Sequence, residues 1–187
     1  MPRAQARIDL SAYARNLAAL RALAPNSQQM AIVKADAYGH GLLPMAQAAR
    51  DAGTEWLGVA LFNEALELRA NGDPGPILAW LASPEDPWAE VAEARIDLGI
   101  STAAQLERLT TFARVHLKID TGLGRAGCAP ADWPALIELA KRKQDAGQID
   151  VVGIWSHFTV ADEPTNPLNM VQIERFREAA QAAELLD

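Results

Sequence analysis

The sequence predicts an α/β fold built from six successive strand–helix units, and three observations carry that prediction. Short apolar runs alternate with stretches of helical period, from the first quarter of the chain to its end. Each run is bounded by Gly, Pro or a residue that can cap a helix. No linker-like stretch and no repeat interrupts the alternation. Strict alternation implies parallel strands with helices packed outside them. Half of the 187 residues are hydrophobic, which is enough to bury the core of one domain spanning 1–187.

Ser11 is placed to cap a first helix that carries Tyr13, Leu17, Leu20 and Leu23 on one face and stops before Pro25. Met30–Val33 reads as the first strand. Leu42–Ala52 reads as a helix ending at Gly53. Trp56–Ala60 is the second strand, followed by a helix over Glu64–Ala70. Pro76–Trp80 is the third strand, followed by a helix over Glu85–Ala94. Ile96–Ile100 is a fourth, weaker strand. Thr102 and Gln105 have the spacing of a capping box for the next helix. Ala113–Ile119 is the fifth strand. Pro134 suits the first turn of a helix running to about Ala146. Ile149–Trp155 is the sixth strand, and Asn166-Pro167 opens a last helix that runs nearly to Asp187.

Two architectures fit this order: an open doubly wound sheet and a (β/α)8 barrel of TIM type. A barrel takes about 250 residues, and a strand–helix pair on the order of 30. Six units therefore make most of a barrel, whereas an open sheet needs nothing more. Length alone leans to the open sheet; the motifs below reverse that preference.

The net charge of −7 and the pI near 5.0 argue against a nucleic-acid or anionic-membrane partner. They say little about a small anionic ligand, which needs only a local positive pocket. A single cysteine, Cys128, cannot form an internal disulfide, which suits a reducing cytoplasm. No run reaches the roughly 18 apolar residues of a membrane span, and the first residues lack a signal-peptide core.

Only four lysines occur, and two of them, Lys34 and Lys118, end apolar strands. Active sites in parallel α/β folds lie at the C-terminal strand ends. Burial lowers a lysine's pKa and frees its amine to act as a nucleophile or base, as a Schiff-base lysine requires. The plain alternative is a lysine that extends its amine to the rim of the sheet. Around Lys34, Tyr38 follows four residues on, Gly39 and Gly41 permit a tight turn, and the next helix offers its amide end to an anion. In Val115–Gly127, Lys118 is followed by an acidic, Gly-rich turn that carries Arg125. The turn fails the Walker pattern, because no Lys-Ser or Lys-Thr pair follows the glycines. In Val152–Asp162 the sixth strand ends at Ser156 and His157; a lone histidine there is commonly a satisfied polar residue.

Lys34-Ala-Asp-Ala-Tyr-Gly-His-Gly41 resembles the pyridoxal phosphate (PLP) attachment signature of alanine racemases, with Asp36 in place of the commoner Asn. The Lys118–Gly127 segment is similar to that family's second signature, with Leu123 for Met and Ala126 for Leu. Ser-His-Phe followed by Ala-Asp162 is similar to a third. The resemblance implies a (β/α)8 barrel of which six units are present, without the family's C-terminal β domain. It implies that Lys34 holds PLP and acts as one catalytic base, and that Tyr38 contacts the phosphate. Arg125 then lies near the cofactor and the substrate carboxylate. Lys118, often carbamylated in relatives, supports it, and His157 packs against the cofactor ring. No metal is implied. The implied reaction interconverts L- and D-alanine, supplying D-alanine for peptidoglycan, in a cytoplasmic homodimer. In the family a tyrosine from the partner's C-terminal domain serves the second face of the substrate. Tyr13 and Tyr38 are this chain's only tyrosines, and both have other expected places, so the chain reads as a fragment lacking that base. A broad-specificity racemase and a non-catalytic PLP-binding barrel protein remain as alternatives.

Overall fold

The computed structural model describes residues 4–186 and divides the chain into two compact units that meet between Ala82 and Ser83. The first unit contains α1 (Leu10–Leu23), β1 (Met30–Ile32), α2 (Lys34–Gly39), α3 (Leu42–Asp51), β2 (Trp56–Leu61), α4 (Phe62–Ala70) and β3 (Ile77–Leu81). Its strands pair in parallel in chain order, with Ala31 opposite Leu57 and Leu57 opposite Ile77. Leu57, Val59, Ile77 and Ala79 of the strands and Ala46, Ala49, Ala65 and Leu68 of the helices are all buried, a core of small and large side chains. Gly58 makes room on the opposite sheet face: a Cβ there would strike Ile32, Met30 and Trp80.

The second unit contains α5 (Trp88–Glu93), β4 (Asp97–Ile100), α6 (Ala103–Glu107), β5 (Ala113–Lys118), α7 (Trp133–Asp145), β6 (Ile149–Trp155), α8 (Pro167–Ala183) and a closing 3-10 turn at Glu184–Leu186. Its strands are also parallel in chain order, with Lys118 opposite Trp155 at the C-terminal end. Leu98, Ile100, Val115 and Leu117 are fully buried. Continuous burial along β4 is what a parallel strand covered on both faces requires. At the opposite ends of these strands, buried Asp97 accepts from Arg114 and lies 2.9 Å from His116 Nε2.

Most expected elements are present, displaced by one to three residues at their ends. The first helix is an exception in two ways. Asp9, not Ser11, caps it: its carboxylate accepts from the Ala12 amide at 2.9 Å. Leu17 alone is buried, while Leu20 and Leu23 are 58% and 82% exposed, so the expected apolar face does not pack as a stripe. The helix expected from Glu85 begins only at Trp88, because Ser83–Asp86 closes a turn of its own in which the Asp86 carboxylate accepts from the Ser83 amide. The Thr102 cap is as expected: its hydroxyl accepts from the Gln105 amide, while the Gln105 side chain reaches back to Ser101.

Candidate active site

In the first unit, Lys34 lies two residues past the end of β1, half-buried, between Val33 and a turn of the opposite hand to an ordinary helix. Ala35, Asp36, Ala37 and Tyr38 all have left-handed backbone angles, with φ of 53°, 54°, 50° and 57°. Residues with a Cβ pay about 1–2 kcal/mol each for this conformation. Four in a row survive only where surrounding structure holds them. The holding groups are visible. The Ala37 amide donates to the Val33 carbonyl at 2.8 Å, and the Gly41 amide to the Asp36 carbonyl at 3.0 Å. The Ala35 amide donates to the Glu64 carboxylate. His40 Nδ1 lies 2.9 Å from the Ala37 carbonyl oxygen, a structural contact within the turn.

This turn carries Tyr38 back over Lys34, whose Nζ sits 5.6 Å from the centre of the phenol ring. Tyr38 is 64% exposed, so ring and hydroxyl are open to a ligand. The amide end of α3 differs from expectation. Asp36 Oδ1 already accepts from the Leu42 amide at 2.6 Å, so the chain's own carboxylate supplies the negative charge that a helix start favours. An Asn at 36 has the same acceptor oxygen, which is why either residue suits the turn.

In the second unit, Lys118 ends β5 and is buried, with its Nζ 4.4 Å from the centre of the Trp155 ring. The turn after it is closed at its base, where the Cys128 amide donates to the Lys118 carbonyl and the Asp120 amide to the Cys128 carbonyl. Gly127 makes this closure possible: φ is 125°, and a Cβ would lie 2.7 Å from the Asp120 nitrogen. Asp120 is the acidic residue of this turn, its carboxylate accepting from the amides of Gly122 and Gly124. Burial, aided by the charge of Asp132, pushes the Cys128 thiol up to about 11. It therefore stays protonated and packs as a small apolar group.

The closed turn presents Arg125, and the end of β6 presents His157. Arg125 Nη2 lies 3.3 Å from His157 Nε2. A guanidinium can only donate, so in this contact Nε2 is the acceptor. Both side chains are exposed, leaving the remaining guanidinium donors for an anion. A buried network beneath them was missed from the sequence. Gln172 of α8, only 1% exposed, donates from Nε2 to Thr121 Oγ1 and to the His157 carbonyl, and its Oε1 accepts from the Thr159 amide. Thr121 Oγ1 lies 2.7 Å from Ser156 Oγ, which donates to the Ile119 carbonyl. The turn that bears Arg125 and the strand end that bears His157 are thus tied to one side chain. A glutamine in a helix carries no local signal of such a role.

Residues 8–186 match the model of the alanine racemase N-terminal domain. The chain belongs to that family. It is 49% identical over 195 residues to an alanine racemase of Streptomyces coelicolor, covering 97% of this chain and 50% of the relative. A Thermobifida fusca alanine racemase is 45% identical, with the same coverage of each. Among solved structures, alanine racemase from D-cycloserine-producing Streptomyces lavendulae superposes with a TM-score of 0.92 at 48% identity, over 95% of this chain and 48% of that one. The Corynebacterium glutamicum alanine racemase gives 0.87 at 34% identity, over 96% and 52%. The chain spans about half the length of the alanine racemases it matches. Its six parallel strands alternating with helices are the family's α/β barrel pattern, as the motifs favoured over the open sheet. No helix among the described residues is long and apolar enough to cross a membrane.

Proposed function

We propose that residues 1–187 form the larger part of the cofactor-binding barrel of a PLP-dependent alanine racemase, with Lys34 carrying the cofactor. The observation that supports this best is the placement of Lys34: at a C-terminal strand end, on a strained turn that brings a phenol beside its amine. The residues fit the chemistry of the group. PLP needs an amine for its aldehyde and donors for its anionic oxygens. Lys34 offers the first, and exposed Tyr38 in the same unit offers a donor of the second kind; the family resemblance adds Arg125 and His157. When bound, PLP withdraws electrons from the α-carbon of an attached amino acid and makes its hydrogen acidic.

The chain's own residues supply the rest. Lys34 holds the cofactor and moves the α-proton on one face of the substrate. Arg125 orients the substrate carboxylate with its planar, permanently charged fork. His157, in contact with that guanidinium through Nε2, keeps it in place and packs against the cofactor ring. Lys118 supports the Arg125 turn from its base. The base for the opposite face belongs to the same reading and is to be sought in the half of the relatives' length that these residues do not span; Tyr13, half-buried on α1 with its phenol pushed up by burial, does not suit it. The proposal includes L- and D-alanine as substrates, D-alanine supply to peptidoglycan, and a cytoplasmic homodimer.

The test is chemical. Incubation with PLP followed by borohydride and peptide mapping should place a reduced adduct on Lys34, and Lys34→Ala should abolish it. An adduct spread over Lys141 and Lys143, or none, overturns the cofactor assignment. An adduct on Lys34 in a full-length protein that leaves L-alanine optically unchanged overturns the racemase and leaves a PLP-binding barrel.

A further inference from the structure

Glu64 lies on α4, in the third residue of the helix, and is half-buried. Its carboxylate does more than cap that helix. Oε2 accepts from the amides of Ala60 and Leu61, at 3.1 Å and 2.9 Å, which fixes the end of β2 to the start of α4. Oε1 accepts from the amide of Ala35, 29 residues away. Ala35 follows Lys34 directly and is the first of the four left-handed residues. One carboxylate therefore joins the C-terminal end of β2 to the point where the chain turns back on itself after Lys34.

The Ala35 amide takes its partner from outside the turn. Ala35 and Asp36 are exposed and contribute no buried side chain. The conformation is intrinsically unfavourable; the bond from Ala37 to Val33 closes the turn around Lys34, Ala35 and Asp36, the His40 and Gly41 amides donate to the Asp36 carbonyl, and the Asp36 carboxylate accepts from the Leu42 amide. The charge-assisted bond from the Ala35 amide adds to these a tie from the residue directly after Lys34 to the end of β2. We propose that Glu64 is a positioning residue for Lys34: it clasps the Ala35 amide and so holds the lysine's backbone, and with it the amine, where PLP is attached. This rests on the assignment of Lys34 above.

Glu64→Gln tests it. A carboxamide has one acceptor oxygen and a donor nitrogen. The oxygen can keep the pair of bonds to Ala60 and Leu61, which leaves an N–H facing the Ala35 N–H. Hydrogen exchange of the Ala35 amide should then speed up by roughly 10–100-fold, the range of one hydrogen bond to a charged group, with Ala60 and Leu61 unchanged. The borohydride-trapped adduct on Lys34 should form at least about tenfold more slowly in a protein that remains folded. Glu64→Asp, one methylene shorter, can still serve Leu61 but not Ala35, and should give the same pattern. A role confined to capping α4 would instead expose Ala60 and Leu61. Ala35 exchange at the wild-type rate in both variants overturns the clasp. Faster Ala35 exchange with an undiminished rate of adduct formation overturns its role in positioning Lys34. Absence of any Lys34 adduct in the wild type overturns the cofactor assignment itself, whatever Ala35 does.

Discussion

Replacing Gln172 by leucine should loosen the end of β6 and the turn that carries Arg125 together. Gln172 makes three hydrogen bonds of 2.8–3.0 Å while 1% exposed. Each such bond contributes about 1–1.3 kcal/mol net, so removing three costs roughly 3–4 kcal/mol. Thr121 keeps its contact with Ser156 Oγ, and the exposed His157 and Thr159 can turn to water, which keeps the loss near that figure and not above it. The added apolar burial of leucine returns about 1 kcal/mol. The expected net loss is therefore about 2–3 kcal/mol. At a urea dependence of about 2 kcal/mol/M, the unfolding midpoint should fall by roughly 1–1.5 M. Amide exchange at Thr159 should quicken as well, because its acceptor is gone. Gln172→Glu separates the donor side from the acceptor side. It keeps an oxygen for Thr159 but turns a carboxylate toward Thr121 Oγ1 and the His157 carbonyl, so it should be less stable than the leucine variant at neutral pH and recover as pH falls. A midpoint within about 0.3 M of wild type for Gln172→Leu, on the same denaturant scale, would refute the network's role, as would an unchanged Thr159 exchange rate.

Two further perturbations probe other parts of the chain. Burial works against the charge on Asp97, but the hydrogen bonds from His116 and Arg114 outweigh it and hold the carboxyl below its ordinary value. A depressed folded-state value means that the unfolded chain takes up the proton first, so the stability this group contributes is fully present above the ordinary aspartate range and is lost as pH falls through the folded value. Asp97→Asn should cost about 2–3 kcal/mol at neutral pH, less than a fully buried pair because Arg114 is partly exposed; its stability, followed by urea unfolding from pH 7 to pH 3, should fall less steeply than that of the wild type. Ala35→Gly removes the Cβ from a residue at φ 53° whose side chain is exposed. Relief of left-handed strain outweighs the entropy gained by the unfolded chain, so thermal unfolding should show a gain of about 0.5–1 kcal/mol, and a lower melting temperature would contradict the strain assigned to this turn.

Much of the fold was legible because its signals are local. Apolar runs of strand length, separated by capping and turn residues, mark all six strands within a residue or two of their observed ends. Thr102 capping its helix and Asp120 bonding Gly122 and Gly124 act over two to four residues, and both follow from the sequence. Ser11 failed as a cap because Asp9, two residues earlier, offers a stronger acceptor at the same helix start, and the choice depends on where α1 begins. Leu20 and Leu23 failed as core because a helical period states which residues share a face, not whether another element covers it.

The sequence by itself determined the order of strands and helices, the position of Lys34 and Lys118 at strand ends, and the glycine-rich turn that presents Arg125. The tertiary structure alone decided the left-handed course of Ala35–Tyr38, the Glu64 bond that meets it, the Asp36 carboxylate at the start of α3, and the Gln172 network beneath His157. The physical reason is distance along the chain. Propensity and periodicity report what neighbours within a turn or two prefer. A strained backbone or a buried polar side chain is set by a partner far away in sequence: 29 residues from Ala35 to Glu64, and 51 from Thr121 to Gln172. No local preference for Ala-Asp-Ala-Tyr favours that turn, and none places a glutamine in a helix core.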